Sequence, residues 1–225
     1  MSFDVALRAT ETLLALALVQ QSAEHLALPR DERRLFMPRL ALALLLLSGT
    51  GTAWVLIALC LHTVAMLVRF QGPYNGGSDR MGTLIVFCLC LAHWVPSRWQ
   101  EVAFGYLAVQ LVLSYFISGQ VKIANLEWRS GRALQDVFCF SAYPVSEELR
   151  GLADRPKLLF GASWAVMLFE VLFPFSLLDT RLLMVALFIA ALFHLANAFL
   201  LGLNRFVWVW LAAYPSILWF QSRIF

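Results

Sequence analysis

Across residues 182–203 the chain runs for 22 residues without a single charged side chain. A helix that crosses a bilayer needs ~20 predominantly apolar residues, so this stretch can span one. Similar segments recur over residues 5–28, 35–48, 53–70, 81–95, 102–121, 158–178 and 206–220. Most are too long for strands, which favours helix. With 61% hydrophobic and 14% charged residues, the chain has far more apolar surface than a soluble fold of its size can hide. Its mean hydropathy is +0.75. Lipid is therefore the expected solvent. The fold expected is all-α, a polytopic transmembrane helix bundle of seven or eight membrane segments forming one domain over residues 1–225. The segment 35–48 is too short to cross alone and is broken from the next by Gly49-Thr-Gly-Thr52. It is expected to be a short or broken helix, tolerated where protein covers its ends.

Charge sharpens this picture. Asp4, Arg8 and Glu11 precede the apolar part of the first segment, and no small-residue cleavage site follows, so that segment is expected to be a retained helix rather than a signal peptide. If all eight segments cross, Arg8, Arg98, Arg181 and Arg223 fall on one side and the other thirteen of the 17 Lys and Arg on the opposite one. The positive-inside rule then puts the loop 125–157 in the cytoplasm. The net charge of +3 and the lack of a basic run exclude a nucleic-acid partner. Cys60, Cys88, Cys90 and Cys139 have neither metal nor disulfide spacing and read as packed thiols, with Cys139 the one to test for reactivity. No metal is expected, because His-x-x-x-His, Glu-x-x-His and Cys-x-x-Cys are all absent.

Four polar features sit where a bilayer should not tolerate them. Lys122 ends the fifth segment and is followed by Trp128 and Arg129. Its amine either snorkels to the interface or is held in a dry pocket, where desolvation favours the free base. Glu170 lies mid-helix, close to Pro174, which should kink that helix. It is read either as a structural ion-pair partner of Lys122 or as a group that sets its protonation. His194 and Asn197 share one helix face at i, i+3, as interhelical glue or as active chemistry. Asn75, Ser78 and Asp79 lie in the turn Pro73-Tyr-Asn-Gly-Gly-Ser-Asp79, as helix caps or as substrate contacts. His62 and His93 have no polar neighbours in sequence and read as structural. The loop 125–157 is the longest connection, a common place for function.

Three motifs carry a resemblance. Ser118-Gly-Gln-Val-Lys122 followed by Trp128-Arg-Ser-Gly131 is similar to a Gly-x-x-Lys-Leu…Trp-x-x-Gly signature. Phe193-His-Leu-Ala-Asn197 is followed by Phe206, Val209, Leu211-Ala212 and Pro215 at matching spacings. Asn75-Gly-Gly-Ser78 with Gly82 resembles Asn-x-x-Ser-x-x-x-Gly. Together they resemble the HTTM-domain family, the membrane module of vitamin K-dependent γ-glutamyl carboxylase and its bacterial relatives. The resemblance implies Lys122 as the base that takes a proton from a quinol. Oxygenation of that quinol gives a stronger base, which removes a γ-proton from glutamate before carbon dioxide adds. Where the carboxylases carry a histidine linked to carboxylation, this chain has Gly77. Their large C-terminal extramembrane domain, which holds protein substrates, is also expected to be missing. The carboxylase site faces the lumen, opposite to the side the positive charges indicate.

Two functions are therefore expected as alternatives. One is a quinol-linked membrane oxidoreductase or lyase of the bacterial inner membrane, with a lipoquinone or quinol as cofactor. Lys122, Glu170 and His194 would be catalytic, and Asn75, Ser78, Asp79, Trp128, Arg129 and Asn197 would bind substrate. The other is a non-catalytic subunit of a larger membrane complex that holds a lipid, quinone or pigment. The aromatic content, 18 Phe, 8 Trp and 5 Tyr, suits either a hydrophobic ligand or interface belts. A transporter fits least, since no inverted repeat is present.

Overall fold

The computed structural model describes residues 1–27, 30–72, 76–140 and 147–225. Among these the chain is helical throughout, without a strand. The helices are α1 (Phe3–Leu26), α2 (Arg30–Ser48), α3 (Thr52–Arg69), α4 (Gly76–Trp94), α5 (Ser97–Ala124), α6 (Leu126–Arg129), α7 (Arg132–Phe140), α8 (Pro156–Leu172), α9 (Thr180–Leu201) and α10 (Asn204–Ile224), with 3₁₀ helices at Glu147–Asp154 and Phe173–Leu178. Four helical segments among the described residues are long and apolar enough to cross a membrane: α3, α5, α8 with its 3₁₀ continuation, and α9. The other long helices do not reach that apolarity, and each contains charged residues. Asp4, Arg8, Glu11 and Glu24 lie in α1, Asp79 and Arg80 in α4, and Arg205 and Arg223 in α10. Large apolar side chains on the spans face outward, Phe188 and Phe199 of α9 among them, as lipid allows and water does not.

The chain forms two compact units, Met1–Val109 with Arg205–Phe225, and Gln110–Asn204. In the first, α1 lies along α2. Arg8 donates to the carbonyls of Leu46 (3.0 Å) and Leu47 (2.7 Å). Those carbonyls belong to the last turn of α2, where helical donors run out, and Leu46 accepts from the Gly49 amide at 3.2 Å as well. The short apolar segment is thus part of a 19-residue helix with Pro38 inside it, and its charged first turns lengthen it beyond the apolar run. His93 does have a polar partner: its Nε2 lies 2.6 Å from Oε1 of buried Glu11, which also pairs with Arg8. His62 Nε2 meets the Leu35 carbonyl at 2.8 Å.

In the second unit the described parts of the connection, 125–140 and 147–157, are largely helical. Asn125 caps α6 by accepting from the Glu127 amide at 2.8 Å. Leu134 and Phe138, four residues apart on α7, pack with Leu152, Ala153 and Leu159, so the connection has a small core of its own. Pro174 acts as its position suggests. The α-helical pairing of α8 ends at Leu172, and the chain tightens into the 3₁₀ turn Phe173–Leu178. Asp179 then caps α9 through the amides of Arg181 and Leu182, at 2.9 and 3.0 Å.

Candidate functional site

On α5, Ser118 and Lys122 are one turn apart and face α8. The Lys122 ammonium is turned toward Glu170 of α8. Its Nζ lies 2.7 Å from Oε1 and 2.6 Å from Oε2 of Glu170, and 2.5 Å from Ser118 Oγ. The Ser118 hydroxyl donates in turn to Glu170 Oε1 at 3.2 Å. The side chains are 16% exposed for Lys122 and 4% for Glu170. The Trp128 ring lies 5.3 Å from Nζ, within cation–π range. The cluster therefore holds a cation against a two-oxygen acceptor, a hydroxyl that bonds both, and an aromatic ring beside them. As a unit, the pair can hold or pass a proton.

Two glycines explain why these groups meet. A Cβ on Gly119 would lie 2.7 Å from Val171 Cγ2, 2.8 Å from the Val171 amide nitrogen and 2.9 Å from Glu170 Cβ. Without it, α5 and α8 approach closely enough for Lys122 to reach across. Gly131 sits at φ +80°, and a Cβ there would come 2.8 Å from Phe160 Cα. This lets the turn after α6 rest on α8. Ser163 Oγ donates to the Trp128 carbonyl at 2.6 Å, and Trp164 Nε1 to the Arg129 carbonyl at 3.1 Å. The spacing Gly-x-x-Lys…Trp-x-x-Gly is thus a packing code: one glycine admits α8 beside the lysine, the other seats the tryptophan.

The remaining candidates fall elsewhere. His194 is buried on α9, and its Nε2 is 2.9 Å from the Tyr115 hydroxyl. Tyr115 lies one turn before Ser118 and packs on Phe169 and Phe173. His194 thus reaches Tyr115 of α5, while the Asn197 backbone carbonyl accepts the Leu203 amide at the end of α9. The Arg129 side chain is exposed, and its backbone carbonyl, not its charge, joins the cluster. Ser78 and Asp79 belong to the first unit, where Ser78 is buried and Asp79 Oδ1 accepts from Gln21 Nε2 at 2.9 Å. Asn75 lies outside the described residues. Among those residues no three His, Cys, Asp or Glu side chains gather as a metal site, and all four cysteines are free.

Sequence reasoning passed over two participants. Ser118 was part of the motif but not of the expected site, although its i, i+4 spacing from Lys122 is the signal for a shared face. Tyr115 could have been found the same way, at i−3 from Ser118. Glu11 with His93 had no such signal, because the two are 82 residues apart.

Comparison with curated proteins and with solved structures returned no match. The family model for the HTTM domain matches residues 93–222, more than half of the chain, and takes in α5, Lys122, Trp128, Glu170 and His194. Apolar helices able to span a bilayer and this match make the chain an integral membrane protein that belongs to the HTTM-domain family.

Proposed function

We propose that this protein is a membrane enzyme in which the Lys122–Glu170 pair accepts a proton from a hydroxyl of a lipid-borne quinol or similar hydrophobic substrate. The observation that carries the reading is the geometry at Nζ: a lysine bound by both oxygens of a buried glutamate, with Ser118 and Trp128 against it. A buried, fully neutralised pair keeps a proton acceptor inside apolar surroundings, where a lone charge would be too costly. The residues fit a flat apolar alcohol. Trp128 offers an aromatic face, and outward-facing Val121 and Leu126 flank the lysine with apolar surface. When bound, a quinol supplies reducing equivalents and an acidic hydroxyl. In this reading Lys122 and Glu170 take the proton as a unit, Ser118 orients them, and Trp128 positions the ring.

Glutamate carboxylation is not part of the proposal. Gly77 stands where the carboxylases carry their histidine, and a Cβ there would already lie 3.2 Å from the Phe206 ring. Phe206 is itself stacked on Trp210, so the space is taken by packing. The same reading places the chain in a bacterial cytoplasmic membrane with seven or eight membrane segments.

The alternative, a non-catalytic subunit, draws on the same contacts. The Lys122 ammonium has an acceptor for each of its three donors, as interhelical glue requires. The test is Lys122→Met combined with Glu170→Met, which removes both charges together and spares the fold an orphaned carboxylate. Wild type in mild detergent should carry a quinone-mass adduct in native mass spectrometry and consume oxygen with added quinol. The double variant should lose both. Retention of both by a folded double variant would sink the enzyme, and a constant complex with other membrane subunits would establish the alternative.

A further inference from the structure

In the first unit, the start of α5 and the end of α10 enclose a groove that opens outward. Val102, Tyr106 and Val109 form one exposed stripe along α5, at i, i+4 and i+7, and Phe220 of α10 forms the opposite wall. Gly105 makes the gap between them. A Cβ there would lie 3.5 Å from the Phe220 ring, an ordinary contact, so a longer side chain at that position would occupy the groove. The mouth is charged. Arg223 donates through Nη2 to Glu101 Oε1, yet the two side chains stay 54% and 44% exposed. Arg98 lies one turn before Glu101, exposed beside Trp99, with its guanidinium carbon 5.8 Å from that ring. Tryptophan at such a place is typical of the headgroup level of a bilayer.

Both signs of charge stand at this mouth, and together they select the ligand. An exposed ion pair contributes little, so Arg223 and Glu101 can share their hydrogen bonds with a ligand at small cost. A phosphodiester fits the guanidiniums, which bind such oxygens through paired N–H donors. The carboxylate calls for a cation with N–H groups, and a primary ammonium has three. A quaternary ammonium has none, and an anionic headgroup would leave Glu101 facing further negative charge. Behind the mouth, the apolar stripe and Phe220 suit an acyl chain whose other neighbour is the bilayer itself. We infer that this groove is a binding site for a glycerophospholipid with a zwitterionic, primary-amine headgroup. The phosphate lies between Arg98 and Arg223, the ammonium meets Glu101, and one acyl chain runs past Gly105 between α5 and α10. The lipid thus ties the two helices together on their bilayer side.

The test is native mass spectrometry of the full chain in detergent with added dioleoyl phosphatidylethanolamine, phosphatidylglycerol or phosphatidylcholine. Wild type should retain a single phosphatidylethanolamine molecule, with an apparent affinity several-fold above that for the other two lipids. Glu101→Gln, an exposed and isosteric change, should bring phosphatidylethanolamine down to the level of phosphatidylcholine. Gly105→Leu should lower the retention of all three. Arg98→Gln, also exposed, should weaken all three as well, since each carries the phosphate, and it keeps the test open if Gly105→Leu does not fold. Equal retention of the three lipids by wild type, or an unchanged preference in Glu101→Gln, would overturn the headgroup assignment. Undiminished retention in folded Gly105→Leu would overturn the groove, and a wild-type dimer that this variant abolishes would make it a contact between two copies instead.

Discussion

Lys122 and Glu170 depend on each other more than either depends on the helix that carries it. Removing the lysine leaves a carboxylate 4% exposed among apolar side chains, and breaking a buried pair from one side costs about 3–5 kcal/mol. Lys122→Met alone should therefore lower stability by that order, and Glu170→Met alone by a similar amount. The double replacement should recover most of the loss, because two apolar side chains of similar volume leave no charge unpaired. Unfolding in mixed micelles of the three variants measures the coupling, and additive losses would show that the pair does not interact. Ser118→Ala should be milder, about 1 kcal/mol, since both partners keep each other. This residue scale was the most legible part of the sequence. A lysine and a glutamate among apolar helices stand out, and their cost in lipid predicts that they meet. Neither the hydroxyl between them nor the Tyr115–His194 pair stands out in this way, because serine and tyrosine are ordinary in such helices.

At the scale of elements, the site depends on how closely α8 lies against α5. Gly119→Ala should destabilise by about 1–3 kcal/mol, because the new methyl meets both a side chain and a backbone nitrogen of Val171. Trimming Val171→Ala in the same chain should restore only part of the loss, since the amide nitrogen at 2.8 Å remains. Full restoration, measured by thermal unfolding, would mean that the side chain alone sets the approach. The sequence was least readable in the neighbouring connection. A helix of four residues and one of nine are too short for periodicity to reveal, so 125–157 read as loop although Asn125 marks a cap. Likewise α2 reads shorter than it is, because its first turns are charged and only its later part is apolar.

For the molecule as a whole, four helical segments among the described residues meet the length and apolarity of a span, against the seven or eight membrane segments expected from eight apolar stretches of sequence. The difference lies in helices such as α1, whose Glu11, Arg8 and neighbouring His93 satisfy each other within the protein. Hydropathy counts those charges against a span, whereas the structure pairs them. Sidedness can be measured directly at Cys139, which is free and partly exposed on α7. The distribution of positive charge predicts that a membrane-impermeant maleimide labels it in inverted vesicles and not in right-side-out ones. The reverse pattern would place the 125–157 region on the outer face, as in the carboxylases. The seating of Trp128 has an evolutionary corollary. Its carbonyl is held by Ser163, its turn rests on Phe160 through Gly131, and its ring lies beside Lys122, so drift at any of these positions is felt at the others. A relative that has exchanged the lysine is free to lose the glycine and the serine together. The three should therefore disappear from a lineage as a set, and a deep mutational scan should find their tolerances correlated.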